Sequence, residues 1–131
     1  MSNSLVTNSG KNLMLSRMFQ DTETPISQFK IGTGTTEPSV ADTDIESVIS
    51  GWNSGSDTAN FVSGFPTFDT ANKEVTVRGR VTATQANGNM ISEVATFNSD
   101  ASEDIDVHAT FTGISKTSSE EIVFIITNRI E

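Results

Sequence analysis

"EVTVRGRVTATQANGNMISEVATFN", Glu74–Asn98, is the stretch on which the fold turns. Its first half alternates, with Val75, Val77, Val81 and Ala83 on one face and Thr76, Arg78, Arg80 and Thr82 on the other. A period of two is the signature of a strand with one face in a core. Gly79 falls on the apolar face, which suggests a bulge or a close neighbour. Asn87-Gly88 is the strongest short hairpin signal in the chain, because both residues tolerate positive φ. The return strand is then Met90–Phe97, and the pair predicts the start of an antiparallel meander.

Working outward, "IDVHATF" continues the pattern through Ile105, Val107, Ala109 and Phe111. "EIVFIITNRI" is apolar on both faces for five residues, Ile122–Ile126, as expected of a central strand. Upstream, residues 5–20 read as a helix in which Leu13, Met14, Met18 and Phe19 share a face, with Asn8 or Ser9 as cap. Gly10 weakens its first turn, and "DTETP", Asp21–Pro25, stops it. "ISQFKIG", Ile26–Gly32, is a short strand. "ADTDIESVIS" predicts a second helix, with a capping box of Thr43 and Glu46, an apolar face of Ile45, Val48 and Ile49, and Gly51 at its end. Phe61–Phe68 is extended and, because of Pro66, an edge or irregular strand, and Asp69–Glu74 is a turn. The expected architecture is one α+β domain, 1–131, mostly β. It is an antiparallel β-sandwich or curled sheet with two short N-terminal helices.

Composition narrows the function. There are no cysteines and a single histidine, His108, so disulfides, thiolate metal sites and His/Cys zinc sites are excluded. A net charge of -9 argues against nucleic acid and against an anionic membrane surface, both of which call for clustered Lys and Arg. Nothing approaches the ~20 apolar residues of a membrane helix, and the N-terminus lacks the apolar core of a signal peptide. The expectation is a soluble chain made without an export signal. Seventeen serines and eighteen threonines, with no tyrosine, lean towards strands and hydroxyl-rich surfaces.

Five features could carry chemistry. "KIGTGTT" carries Gly32 and Gly34, but no later Gly or Lys follows them before the second expected helix, and Glu37 stands where a dinucleotide fingerprint needs its third glycine. A strand-to-helix turn is the better reading there. His108 alternates with apolar neighbours, so it should face the polar side, solvated or against a partner. Glu103-Asp104 and Glu120-Glu121 are adjacent, so in a strand they point to opposite faces and cannot share a site. "NSDASED", Asn98–Asp104, is conceivable as a calcium turn but does not match the EF-hand loop. The aromatic group Trp52, Phe61, Phe65 and Phe68 reads either as core lining beneath a loop or as anchors of a subunit interface, with sugar binding by Trp52 a weaker third. Trp52, Phe61 and Phe65 are the interaction candidates. No catalytic constellation, metal site or cofactor site is assembled.

Two long stretches carry a resemblance. "FKIGTGTTEPSVADTDIESVI" resembles an "IAIGTGTTAPSASDTALxxEV" pattern, and "ATQANGNMISEVATFN" with "ATFTGISKTSSEEIVFIIT" resembles a "GGxxIxEVGLF" hairpin followed by "ATFxPIxKTSSxxVxF". Both patterns belong to small virion structural proteins of tailed bacteriophages, found alone or as the N-terminal domain of tail-collar fibre proteins. "NSLVTNSGKNLMLSRMF" fits their leading helix. The likeness runs through nearly the whole chain, except Gly51–Asp69. It departs at "EVGLF", here "EVATF", where Ala95 replaces a glycine that would permit a bend or close packing. The resemblance implies a non-enzymatic virion part: a tail appendage or fibre base, alternatively a capsid decoration protein on the head surface. It implies no cofactor, and as partners further copies of itself, a trimer being expected, and other tail or capsid proteins. A host-surface glycan-binding module is the reading from a different class.

Overall fold

A computed structural model describes residues 3–20 and 23–130. In chain order the elements are β1 (Asn3–Val6), α1 (Asn8–Phe19), β2 (Ile26–Gly32), β3 (Ala59–Asn60), β4 (Thr67–Asp69), β5 (Glu74–Val81), β6 (Met90–Asn98), β7 (Ile105–Ser115) and β8 (Ile122–Arg129). They form two antiparallel sheets, one of five strands in the order β1-β7-β6-β2-β3 and one of three in the order β4-β5-β8. The mostly-β expectation holds. The sheets face each other across a core of Phe29, Ile31, Trp52, Val81, Ile91 and Val94, with Phe124 and Ile126 packed against it. Burying that apolar face is the main force holding the sheets together.

The expected Asn87-Gly88 hairpin is not there. β5 pairs with β4 and β8, whereas β6 pairs with β2 and β7. Residues 82–89 carry the chain from one sheet to the other. Gly88 does take positive φ, 86°, so the local turn signal is real. Its N–H, however, bonds to the carbonyl of Lys116 at 2.9 Å, and the Lys116 N–H returns to Asn89 O at 2.9 Å. The turn therefore closes on the start of the β7–β8 crossing and not on β5. Lys116, fully buried, fixes this junction: Nζ donates to Asn87 Oδ1 and Thr117 O, both at 2.8 Å, and to Ala83 O at 3.3 Å. The neighbour expected at Gly79 is Phe29, whose ring carbons would lie 2.9 Å from a Cβ added there.

Two helices were expected and one forms. Residues 3–6 of the N-terminal stretch are strand, and the cap of α1 is Thr7, whose Oγ1 accepts the Gly10 N–H at 3.1 Å. Of its expected apolar face only Leu13 is buried, while Met14, Met18 and Phe19 stand in solvent. Within the expected stop at Asp21–Pro25, Asp21 and Thr22 lie outside the described residues. The second expected helix, 41–50, is irregular backbone with bends and a single bridge from Val48 to Gly32. Its backbone donors are taken: the Glu46 and Ser47 N–H groups bond to the Glu93 carboxylate, and Ile49 N–H bonds to Ile31 O. A helix would need those donors for its own ladder. The capping box fails for the same reason, since Glu46 instead accepts from Thr36 N–H and Oγ1.

The segment 33–50 lies over the face of β6 that points away from the second sheet. Ile45 packs there with Ala95, Phe97 and Ile105. β6 is thus buried on both faces from Ile91 to Asn98, although it carries Ser92, Glu93, Thr96 and Asn98. Ala95, where the resembled pattern has glycine, is fully buried in this packing. β8 is the reverse case. Expected to be central, it is an edge strand with Val123 and Ile125 exposed on its outer face.

A candidate functional site: a buried acid–histidine centre

Glu93 and His108 are neighbours on β6 and β7, His108 lying in register with Ala95. Their side chains meet beneath the 33–50 segment. His108 Nε2 is 2.9 Å from Glu93 Oε2, and Nδ1 is 2.7 Å from Asp42 Oδ2. The Glu93 carboxylate is fully enclosed and also accepts three backbone N–H groups: Gly34 at 3.0 Å, Ser47 at 2.7 Å and Glu46 at 3.1 Å. Gly32 and Gly34 are needed for this approach. A Cβ on Gly32 would strike Glu93 Oε1 and Ser47 O, and one on Gly34 would come 2.7 Å from Glu93 Oε1. The "GTGTT" loop is therefore an anion cradle after all, and the anion it holds is the chain's own.

His108 is 3% exposed, so the expectation of a solvated histidine is overturned. Burial by itself would lower its pKa. The hydrogen bonds and charges of Glu93 and Asp42 outweigh that and raise it above the ordinary value. Burial would raise Glu93, but the bonds from His108 and the three N–H groups hold it below the usual carboxylate range. Burial likewise opposes the shift at Asp42, which the Ser39 N–H and His108 pull down. An imidazolium between two carboxylates is the state these shifts favour.

Chemically the centre is a staple. A general base must offer a free lone pair to its substrate, and both ring nitrogens here are engaged by carboxylates. The nearby depression of about 210 Å³ is lined by Thr36, Glu37, Asp44 and Glu46 besides Asp42 and His108, a surface that favours cations over anions. Lys30 is a second pin on the same segment. It is buried, its Nζ lies 2.7 Å from Glu103 Oε2, 3.2 Å from Asp44 Oδ1 and 4.6 Å above the Phe97 ring.

The sequence candidates fall elsewhere. Trp52 is 5% exposed; its Nε1 donates to Asp57 O at 2.7 Å and its ring lies 5.4 Å from Phe29. It is core lining, with almost no surface left for a partner. Phe61 is half-buried and stacks on Phe29 at 6.4 Å. Phe65 is half-buried under the Arg78 guanidinium, 4.8 Å away. In the Asn98–Asp104 turn, one oxygen each from Asp100 and Asp104 gathers with one from Glu23 within 4.8 Å. The side-chain hydrogen bond shared by Glu23 and Asp100 raises the first and lowers the second.

The larger concavity, about 660 Å³, was not foreseen. It runs between α1 and the three-stranded sheet, lined mainly by Leu13, Met14, Phe68, Val77, Ile126 and Ile130. Asp106 lies in its wall, buried, accepting from Asn128 Nδ2 at 3.0 Å, and burial pushes its carboxyl pKa up. Met18 and Phe19 of α1 add exposures of 71% and 78% nearby in sequence. Comparison with family models, curated proteins and solved structures found no match for this chain.

Proposed function

We propose that the chain is a non-enzymatic structural protein of a tailed-phage virion that self-assembles and docks on a larger particle, as a tail appendage or fibre-base component. The observation that carries this reading beyond the motif resemblance is the apolar surface of α1 and its groove. Phe68 and Ile130 line the groove, Leu15, Met18 and Phe19 stand on α1 outside it, and all five are more than half exposed. Clusters of large exposed apolar residues mark interaction surfaces more than catalytic ones. The His108 centre supports the same reading, because its protons are committed to holding the fold. Closed symmetric oligomers are the default for such parts, and a trimer would suit a fibre or a three-fold capsid site.

Capsid decoration is the second reading, supported by the same surface. The glycan-binding reading loses its anchor, because Trp52 lies in the core. The test is to purify virions from the host that carries this chain and to count its copies by quantitative mass spectrometry. Roughly three to twenty copies fit a tail or vertex part, and hundreds fit capsid decoration. Particles that lack the chain sink both.

A further inference from the structure

We infer that β8 is a self-association strand, pairing antiparallel with β8 of a second copy about a two-fold axis at Ile125. The two three-stranded sheets then become one sheet of six strands. The contact gives the self-assembly in the proposed function a specific surface and rests on that reading for its biological setting. Its physical basis is the strand itself.

The direction of the free backbone groups comes first. In the antiparallel β5–β8 ladder Glu74 faces Arg129 and Val81 faces Ile122, so Ile130 continues the register opposite Lys73. The Ile130 N–H bonds to Lys73 O at 3.1 Å. Since bonding direction alternates along a strand, even-numbered residues of β8 aim their N–H and C=O at β5. Odd-numbered residues, including Val123, Ile125, Thr127 and Arg129, aim theirs outward. β5 agrees independently: Arg78 O points away from β8 and accepts the Val62 N–H at 2.8 Å. Among the described residues, no backbone bond outside the β5 ladder engages 122–129.

Edge strands are ordinarily kept short or broken by proline, glycine or charge. The other edges conform: β3 has two residues, β4 has three and follows Pro66, and β1 has four. β8 has eight, with no glycine, proline or charge between Ile122 and Asn128. Its outer face carries Val123 and Ile125, 42% and 62% exposed.

The sequence then selects one register. Pairing about Ile125 sets Ile125 against Ile125, Val123 against Thr127, and Glu121 against Arg129 of the second copy, twice by symmetry. All of these are odd positions, so every pair is of the hydrogen-bonded type that the outward groups require. Sliding by two residues in either direction loses both charge pairs. Parallel pairing sets Glu121 against Glu121 and Arg129 against Arg129. Within one copy Glu121 already lies 3.4 Å from Arg80, and Arg129 lies 2.5 Å from Glu74. The pairing links these into an alternating row, Arg80–Glu121–Arg129–Glu74, at each end of the seam. Such exposed pairs set register more than affinity. The contact is isologous and closes at two copies, so for the free chain it puts a dimer where the fibre analogy puts a trimer.

The test is a charge swap followed by light scattering and native mass spectrometry. E121R alone places two Arg–Arg contacts in its homodimer, and R129E places two Glu–Glu contacts, so each is expected to be monomeric. Mixed, they give Arg–Glu at both ends, and a heterodimer is expected. I125K, at an exposed position that leaves the core untouched, should weaken the dimer by at least about 100-fold. Circular dichroism confirms that each variant is folded. I125C gives a second readout in a chain without native cysteine: oxidation should cross-link it across the axis, whereas V123C, offset from its own copy, should not. A wild-type chain that stays monomeric, or a trimer indifferent to I125K, overturns the pairing and leaves the virion reading standing. Dimers behaving as described, from a chain absent from purified particles, overturn the virion reading alone.

Discussion

Glu93→Gln is the most informative single change, because it keeps the shape of the side chain and removes the charge. The carboxylate receives four donors, two on each oxygen: Gly34 and Ser47 N–H on Oε1, Glu46 N–H and His108 on Oε2. Glutamine has one oxygen and one NH₂. Whichever way the amide is turned, two donors face an NH₂ group. If the oxygen stays at Oε1, His108 can give up its Nε2 proton and accept, which rescues one contact and leaves the Glu46 N–H orphaned. An unsatisfied buried donor costs about 1–3 kcal/mol. Stripping one partner from a buried ion pair costs about 3–5 kcal/mol in full. With His108 neutralised as partial relief, the expected loss is about 3 kcal/mol. For a chain of this size that lowers Tm by roughly 10 °C. Thermal unfolding followed by circular dichroism at pH 6.0 reads it, with Glu37→Gln as an exposed control expected within about 0.5 kcal/mol of wild type. A loss under about 1 kcal/mol for Glu93→Gln would show that the centre is not the staple described.

The same centre dictates a pH profile. His108 has its pKa raised by the fold, so its stabilisation is complete below the unfolded histidine value, about 6.5, and fades as pH rises through the folded one. Glu93 and Asp42 are lowered, so theirs is complete above ordinary carboxylate values and fades as pH falls through the folded ones. Tm should therefore peak between about pH 5 and 6.5, and His108→Asn should reduce the decline on the alkaline side, leaving the share that comes from Asp106, whose pKa is also raised in the fold; an equal decline in that variant counts against the assignment. Gly79→Ala should cost about 1–3 kcal/mol by overpacking, because the new Cβ meets the Phe29 ring at 2.9 Å; an unchanged Tm would mean that the two sheets are less tightly apposed. Lys116→Met should lower Tm by a similar amount, by orphaning Ala83 O, Asn87 Oδ1 and Thr117 O at the junction of the two crossings, and should speed amide exchange at Gly88, whose N–H is held by Lys116 O.

Strand positions were legible and strand partners were not. Glu74–Val81, and Ile26–Gly32 in part, follow from alternation, which is a local property, whereas Met90–Phe97 is placed through a hairpin that does not form. Alternation says which face is buried but not which strand lies alongside. The Asn87-Gly88 turn was a genuine local signal, yet the backbone around it is tied to Lys116, which no local rule reveals. The phantom helix at 41–50 has the same origin: propensity and capping residues pointed one way, and a carboxylate 47 residues downstream took the donors. A signal for the centre did exist. Glu93 is a charge inside a strand whose neighbours Ile91 and Val94 are core residues, and His108 is the only histidine, also mid-strand. Charged or titratable groups at such positions demand partners, and pairing those two would have found the site without fixing Asp42.

Several of the motif residues share one property in the structure, which bears on what the phage resemblance implies. Gly32 and Gly34 make room for Glu93, Glu93 anchors the 33–50 segment, Lys116 locks the sheet crossings, and Phe124 packs into the core. Each acts inward. The outward positions of the same stretches, such as Val123, fall where the quoted pattern leaves the residue open, and Phe68 and Ile125 lie outside it altogether. The inward-acting part of the pattern specifies a scaffold and leaves the docking chemistry free to differ from one bearer to another. The partners of this chain should accordingly be sought through α1, the groove beside it and the β8 edge. Substitutions that alter assembly without altering Tm should cluster there and not among Gly32, Gly34, Glu93 and Lys116.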